Sequence, residues 1–263
     1  MSRLVGRLRH YLPPLIVLVL FIGGWQAVTV GFAIPGYLLP SPVAILAAAY
    51  AHRTALGQAT WVTFESSALG FVLSVVLGVG VALMMSVSKW LEQSLYPYAI
   101  LLQTIPIVAI APLIVIWVGA GMGSIIIIAF LVAVFPVISN TNFGLISTDR
   151  HLLNLMALYG ASRWRTMVKL RLPAALPHML SGMKISAGLS VIGAIVGQFI
   201  AGIGGGQGGL GYLIIATAQQ LQMPYLFAAA LASAVLGIVS FLLVSWLSQA
   251  LIGRWHESLS PMT

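Results

Sequence analysis

The sequence predicts an all-α membrane protein with six transmembrane helices and cytoplasmic N and C termini. Of its 263 residues, 60% are hydrophobic and only 6% are charged, whereas soluble domains carry roughly 25% charged residues. Apolar runs near the length of about 20 residues that crosses a bilayer also recur along the chain. Six such runs are found, at roughly 13–33, 61–87, 95–118, 123–143, 181–203 and 225–251.

The positions of the basic residues predict the orientation of these spans. Arg3, Arg7 and Arg9 precede the first span and should keep the N terminus in the cytoplasm under the positive-inside rule. With six alternating spans, every one of the 12 Lys and Arg residues except Arg53 then falls on the cytoplasmic side. The formal net charge of +8 is therefore interpreted as a topology signal rather than a nucleic-acid-binding surface.

The outer connections differ in character. Residues 34–60 begin with three prolines and a glycine that break a helix, after which Val43–Tyr50 predicts a short surface helix. Residues 119–122 predict a tight turn, and 202–224 predict a glycine-rich turn followed by a short amphipathic piece. Since no linker or soluble segment is evident, residues 1–263 are predicted to form a single transmembrane domain.

Small residues recur at every fourth position of the second span, and Gly193 and Gly197 form a shorter ridge in the fifth span. Such ridges allow close helix packing in lipid. They predict either packing within the chain or a subunit interface. The ridge of the second span consists of Ser66, Gly70, Ser74, Gly78, Ala82 and Ser86.

The third span contains Pro97, Pro106 and Pro112, and each proline removes a backbone hydrogen bond. Three breaks are expected there, and the span is predicted to form a wall of a translocation pathway. Polar residues within spans either line such a pathway or form hydrogen bonds between helices. The polar residues in question are Gln26, Glu65, Gln103, Thr104, Asn140, Asn142 and Gln198, and those assigned to the possible pathway are Gln103, Thr104, Pro106, Asn140 and Gln198.

No catalytic, cofactor or metal site is predicted in this chain. Gly204, Gly206 and Gly209 match a dinucleotide-binding spacing, but the strand and the acidic residue that this fingerprint requires are missing. The four acids and five histidines show no metal-ligand or catalytic spacing, and there is no cysteine. No phosphate-binding G-x-x-x-x-G-K-[ST] loop occurs, so any ATP would be bound by another polypeptide.

Residues 155–177 form a basic loop on the predicted cytoplasmic side, with four cations within nine residues. The pattern predicts two short helices that are separated at Gly160, with Ser162 capping the second helix and Pro173 ending it. These physical features fit a lipid-anchoring amphipathic surface and a protein-docking surface equally well.

The loop resembles a signature of bacterial ABC-importer permeases, with Ala157, Gly160, Ala161-Ser162 and Leu172-Pro173 at the matching places. The resemblance extends over nearly the whole chain. The segments LLPSPVAIL, QTIPIVAIAPLIVIWVGAG, FPVISNTNFGL and GLGYLI are similar to the nitrate/sulfonate/taurine-type subfamily.

This resemblance implies the type I ABC importer permease fold and a function in forming a translocation path. It implies a second permease copy as a homodimer, two ABC ATPase subunits that bind ATP and Mg, and an extracytoplasmic substrate-binding protein that docks on 34–60 and 202–224. It also implies the bacterial inner membrane and a small organic or inorganic anion or a vitamin precursor as substrate. The ATPase-coupling loop, about 144–180, would use Ala157, Gly160, Ala161, Ser162, Arg163, Trp164, Leu172 and Pro173.

Two positions depart from the family pattern. Leu155 stands where the loop motif usually opens with a glutamate, and Gln198 stands where relatives often carry an acid. The first rival hypothesis is an ion-coupled secondary transporter, which needs no ATPase, and the second is a membrane-embedded enzyme or scaffold that moves no substrate. The spans contain no paired charges of the kind expected in a proton-coupled carrier, which argues mildly against the first.

Overall fold

The computed structural model of the chain describes residues 2–201 and 208–252, and within these ranges it is helical with short connections. The helices are α1 (Ser2–Gly31), α2 (Pro42–Ala51), α3 (Arg53–Val87), α4 (Lys89–Thr104), α5 (Ile107–Val118), α6 (Met122–Ile146), α7 (Arg150–Leu158), α8 (Arg163–Thr166), a π-helical turn (Met167–Arg171), α9 (Leu172–Ala201), α10 (Leu210–Gln219) and α11 (Met223–Ile252).

Five helical stretches of the described chain are long and apolar enough to cross a membrane, and the α4–α5 pair makes a sixth if it is counted as one bent span. These six agree with the six apolar runs of the sequence. The five straight candidates are Leu12–Gly31, Arg53–Val87, Met122–Ile146, Arg163–Ala201 and Met223–Ala250.

The third span is broken once, not three times as the prolines predicted. The axes of α4 and α5 differ by 97° at the break, where Ile105 is extended (φ −72°, ψ 125°) directly before Pro106. A residue that precedes proline is pushed out of the helical region, which explains the break. Pro97 and Pro112 instead lie inside α4 and α5, which continue through them.

The predicted connections are largely present. The short helix expected at Val43–Tyr50 is α2, and the tight turn at 119–122 contains Gly119 and Gly121 with φ of 96° and 136°, a region that favours glycine. In the 202–224 connection, the short piece after the glycines is α10. Residues 202–207, which include Gly204 and Gly206, lie outside the described residues.

The chain divides into two compact units, and the first unit consists of residues 1–58 and 213–232. In this unit, Ser41 accepts a hydrogen bond from the Ala44 N–H and caps α2, while Pro42 occupies the first turn, where its missing N–H is harmless. One hydrophobic cluster of this unit has the buried residues Ile45, Tyr225 and Ala228 at its centre, and Trp25, Ala48, Ala49, Leu56, Leu213 and Phe227 pack on them. The single domain over 1–263 stays a prediction.

The second unit, residues 59–212 and 233–263, is built around α6. A Cβ atom on Gly70 of α3 would lie 2.6 Å from the Ala129 Cβ, and one on Gly193 of α9 would lie 2.7 Å from the Ala129 Cα. Helix α6 therefore packs closely against both neighbours at their glycines. The Ser186 hydroxyl of α9 also donates to the Ala133 carbonyl of α6 at 2.6 Å. Both glycine ridges are thus used for packing within the chain.

Candidate functional site

The loop between α6 and α9 starts with a capped helix. The Asp149 carboxylate accepts a hydrogen bond from the His151 N–H at 2.7 Å and so satisfies a donor at the N terminus of α7. A negative charge at this place also interacts favourably with the helix dipole. The only acid of this loop is therefore engaged in local structure.

The turn that follows α7 agrees with the predicted separation into two helices. Gly160 has φ +65°, a left-handed conformation that glycine adopts without strain. The Ala161 N–H donates to the Met156 carbonyl at 3.0 Å and closes the end of α7. The Ser162 hydroxyl then accepts from the Arg165 N–H at 3.3 Å and caps α8 as predicted.

Pro173 does not end the second helix, contrary to the sequence prediction. The helical path runs from Arg163 to Ala201, and a π-helical turn, Met167–Arg171, precedes the proline. In this turn the Leu172 N–H donates to the Met167 carbonyl five residues earlier. The wider turn makes room for Pro173 within this continuous path, because a proline lacks the backbone N–H and its ring would otherwise clash with the carbonyl four residues earlier.

Large apolar side chains project from the corner between α7 and α8. Leu158 is 85% exposed, Tyr159 is 81% exposed and Trp164 is 76% exposed. The neighbouring Arg163 and Arg165 are exposed as well. Exposed apolar groups surrounded by charge mark an interaction surface. We call this set of five residues the α7–α8 corner.

The base of the loop is packed into the bundle. Met167 from the π-helical turn and Leu172 from the start of α9 contact a buried cluster that includes residues of α6 and α9. The base of the loop therefore connects the α7–α8 corner to those two helices. The buried members are Leu145, Ala175 and Met179, and Val79 and Leu83 of α3 pack on them as well.

The predicted ATPase-coupling residues occupy both parts of this loop. Six of them lie between the end of α7 and the start of α8, and all except the half-buried Ala161 are exposed: Ala157, Gly160, Ala161, Ser162, Arg163 and Trp164. Leu172 is half-buried in the base, whereas Pro173 is exposed beside it. Their contact with an ATPase stays a prediction.

The break between α4 and α5 brings three of the predicted pathway residues together. Gln103, Thr104 and Pro106 are all exposed, and the Thr104 hydroxyl donates to the Leu101 carbonyl at 3.1 Å. Exposed polar groups in a membrane span are costly when they face lipid. The break therefore favours a face that contacts water or another chain.

The other two predicted pathway residues are engaged in hydrogen bonds. Asn140 is half-buried, and its Nδ2 donates to the Pro136 carbonyl of its own helix at 2.9 Å. Gln198 has no accessible surface. Its Oε1 accepts from the Gly211 N–H at 3.0 Å, and its Nε2 lies 3.4 Å from the Ser66 hydroxyl of α3. A pathway role for Gln198 would require these contacts to open.

Thr63 and Gly211 belong to this buried polar group but were not singled out from the sequence. The Thr63 hydroxyl lies 3.0 Å from the Gln198 Oε1 and accepts from the Leu210 N–H at 2.8 Å. Ser66, three residues after Thr63, was noted only as part of a small-residue ridge. The sequence offered one signal for Thr63, which is a threonine one turn before a ridge of small residues. It offered no signal that α10 packs against Thr63, because that contact forms only in the tertiary structure.

Asn142 connects α6 to α4. Its Nδ2 donates to the Glu92 Oε1 at 3.1 Å, while its buried Oδ1 has no hydrogen-bond partner. Within residues 2–201 and 208–252, no group of three His, Cys, Asp or Glu residues is placed to hold a metal ion.

Comparison with known proteins identifies one family. Residues 74–253 match the family described as "binding-protein-dependent transport system inner membrane component". A probable ABC transporter permease protein of Haemophilus influenzae is 36% identical, and the match covers 90% of this chain and 95% of that protein.

Two further relatives have named substrates. A riboflavin transport system permease protein of Chloroflexus aurantiacus is 32% identical, with 92% of this chain and 90% of that protein covered. A formylaminopyrimidine transport permease protein of Halalkalibacterium halodurans is 34% identical, with 84% and 87% covered.

Among solved structures, the fold is similar to a chain of the inward-facing MetNI methionine ABC transporter. The TM-score is 0.62 at 18% sequence identity, and the match covers 76% of this chain and 95% of that one. A chain of an amino acid ABC transporter gives a TM-score of 0.60 at 17% identity, with 76% and 96% covered. These structures support the fold.

Proposed function

The chain belongs to the family of binding-protein-dependent transport system inner membrane components, and we propose that its α7–α8 corner couples transport to a separate ATPase. The protein is the permease subunit of an ABC importer and is not itself an enzyme. This family favours the ABC-importer hypothesis over an ion-coupled carrier. ATP and Mg belong to the partner subunit in this proposal.

The observation that carries the coupling proposal is the exposure of Leu158, Tyr159 and Trp164 beside exposed arginines. This chemistry fits an apolar groove with acidic residues at its rim on the ATPase. When ATP brings two ATPase subunits together, the corners would move with them. The packed base at Met167 and Leu172 would pass this movement to α6 and α9.

We also propose that the chain lies in the bacterial inner membrane with both termini in the cytoplasm. This proposal is supported by the family description and by the distribution of the basic residues, of which only Arg53 lies on the side of the membrane away from the cytoplasm. In this orientation α2 and α10 lie on the outer side. Each of the segments 34–60 and 202–224 is then proposed to contact the substrate-binding protein, although residues 202–207 lie outside the described residues.

The translocation path in this proposal lies between two copies of the chain. Gln103, Thr104 and Pro106 at the bend and Asn140 in α6 would line it, while Gln198 would take part only if its hydrogen bonds open. A face with exposed polar groups needs water or protein rather than lipid beside it. A second copy that encloses a water-filled path meets this requirement.

The substrate is proposed to be a small anion or a vitamin precursor. Relatives named for riboflavin and formylaminopyrimidine favour a small heteroaromatic compound within this class. Isothermal titration of the substrate-binding protein with riboflavin, a formylaminopyrimidine and an aliphatic sulfonate would separate the possibilities. Binding of the sulfonate alone would contradict the heteroaromatic assignment.

The coupling proposal is tested with Trp164→Ala and Arg163→Glu in the complex with its ATPase, reconstituted in liposomes. Both changes should weaken assembly with the ATPase and reduce stimulation of ATP hydrolysis by the binding protein by about tenfold, because buried aromatic and arginine contacts dominate protein interfaces. Trp90→Ala on α4 is the matched control, since Trp90 is 73% exposed but lies outside the loop. Normal assembly and stimulation in both loop variants would refute the proposal.

A further inference from the structure

Gln198 joins three helices through a carboxamide that has no accessible surface. It lies on α9, its Oε1 accepts from the Gly211 N–H of α10 at 3.0 Å, and its Nε2 lies 3.4 Å from the Ser66 hydroxyl of α3. The Thr63 hydroxyl of α3 donates either to the same Oε1 or to the Ala59 carbonyl, both at 3.0 Å. We call Thr63, Ser66, Gln198, Leu210 and Gly211 the Gln198 clamp.

The clamp provides hydrogen-bond acceptors for the first backbone N–H groups of α10. The first N–H groups of a helix have no partner within it and usually bond to a capping side chain just before the helix. Here the Leu210 N–H donates to the Thr63 hydroxyl at 2.8 Å, and the Gly211 N–H donates to Gln198. Side chains from two other helices therefore cap α10.

Close packing at two glycines supports the same attachment independently. A Cβ atom on Gly209 would overlap the Gln198 carboxamide, and one on Gly211 would overlap the Ile195 carbonyl and lie 2.8 Å from the Gln198 Cβ. The segment that starts α10 is therefore seated directly on α9. Only glycine permits this approach at both places.

The clamp lies at the far end of α9 from the coupling loop. The helical stretch Arg163–Ala201 contains 39 residues and therefore extends about 58 Å at 1.5 Å per residue. It begins in the α7–α8 corner and ends three residues after Gln198. A movement at the corner can reach the clamp through this one stretch of helix.

We propose that Gln198 is a positioning residue for transport, which fixes residues 208–212 to α9 so that they follow the movement of the coupling loop. This inference rests on the proposed function, which places the clamp on the outer side. If the segment stayed behind while α9 moved, the polar groups of the clamp would lose their partners in apolar surroundings. Such a loss is costly, so the segment moves together with α9.

The test uses single cysteines, since the chain has none of its own. Leu210→Cys reports on the clamp and Ser124→Cys reports on the outer end of α6, because both native side chains are fully buried. Each is combined with Gln198→Leu or Gln198→Glu, and the full complex in liposomes is treated with a membrane-impermeant maleimide. Gln93→Leu, at an exposed site on α4, is the matched control.

Gln198→Leu should raise the labelling rate at position 210 by about tenfold or more, because it removes the acceptor of the Gly211 N–H. Position 124 should stay protected. Gln198→Glu keeps the acceptor oxygen and should restore protection at 210. Unchanged protection at 210 in Gln198→Leu would overturn the proposal, as would equal labelling at 124, which would mean that Gln198 merely supports the whole bundle.

ATP hydrolysis gives the functional readout. In Gln198→Leu the complex should still hydrolyse ATP, but stimulation by the binding protein should fall about tenfold, and Gln198→Glu should recover most of it. Normal stimulation in Gln198→Leu would reject the positioning role. If the wild-type complex showed no stimulation at all, the proposed function would fail, while the labelling result would still decide whether the clamp holds residues 208–212.

Discussion

Single glycines set how closely α9 approaches α6. A Cβ atom on Gly182 would lie 2.6 Å from the Pro136 carbonyl oxygen and 2.8 Å from the Asn140 Cβ. The carbonyl belongs to the backbone and has little freedom to move away. Gly188 on the same helix has open space around it, so the two positions differ in packing and not in helix propensity.

Gly182→Ala should therefore destabilise the protein, whereas Gly188→Ala should not. Overpacking of this kind typically costs about 1–3 kcal/mol, while replacing an unconfined helical glycine by alanine gains up to about 1 kcal/mol. Unfolding in a detergent–denaturant titration measures both free energies. A Gly182→Ala variant as stable as Gly188→Ala would contradict the close contact.

At the residue scale, the sequence identified the capping, turn and buried polar residues more often than it identified their hydrogen-bond partners. Ser162 and Gly160 were predicted correctly because caps and left-handed turns depend on local sequence. The partners of Gln198 were not predicted, since Thr63 and Gly211 come from helices far away in the chain. Hydrogen bonds between distant helices have no local signature.

At the scale of elements, the bend between α4 and α5 shows the limit of counting prolines. Pro106 breaks the span because it pushes the preceding residue, Ile105, into an extended conformation. Pro97 and Pro112, in contrast, remain inside helices. A proline only removes a hydrogen bond and adds a steric clash, and the surrounding helix decides whether it bends, tilts or breaks. The sequence therefore predicted the weak span correctly but not the number of breaks.

Pro106→Ala should allow α4 and α5 to straighten, because it restores an N–H and frees residue 105. Spin labels on Tyr98→Cys and Trp117→Cys, two exposed sites, measure the change. At 1.5 Å per residue, the axial separation should grow from about 20 Å at the 97° bend to about 28 Å in a straight helix. Pro112→Ala serves as the control, and an unchanged distance in Pro106→Ala would show that packing, not proline, maintains the bend.

The loop shows the same division between local and tertiary information. The cap at Asp149 and the turn at Gly160 follow from nearby residues, whereas the continuation through Pro173 depends on the π-helical turn Met167–Arg171. No pattern in the local sequence predicts this π-helical turn. Its consequence is large, because the loop becomes part of the same helical stretch as the fifth span.

At the scale of the whole molecule, composition and charge were sufficient for the membrane class and the six spans, because both depend on sums over many residues. Assembly depends instead on particular faces. Only 6% of the residues in the apolar window of Leu12–Gly31 are buried within the chain, and Gln103 and Thr104 are exposed beside the bend. An apolar face can contact lipid, but exposed amide and hydroxyl groups inside a span favour water or protein.

We therefore expect two identical permease chains and two ATPase subunits in the purified complex. A two-fold axis would bring the same surface of each copy together, and a residue close to that axis would meet its own equivalent. Native mass spectrometry of the detergent-solubilised complex counts the chains. In addition, Thr104→Cys should form a disulfide-linked permease dimer on oxidation if the bend lies near the axis, whereas Leu158→Cys in the corner should not. One permease copy per complex, or a second permease of different sequence, would contradict the homodimer.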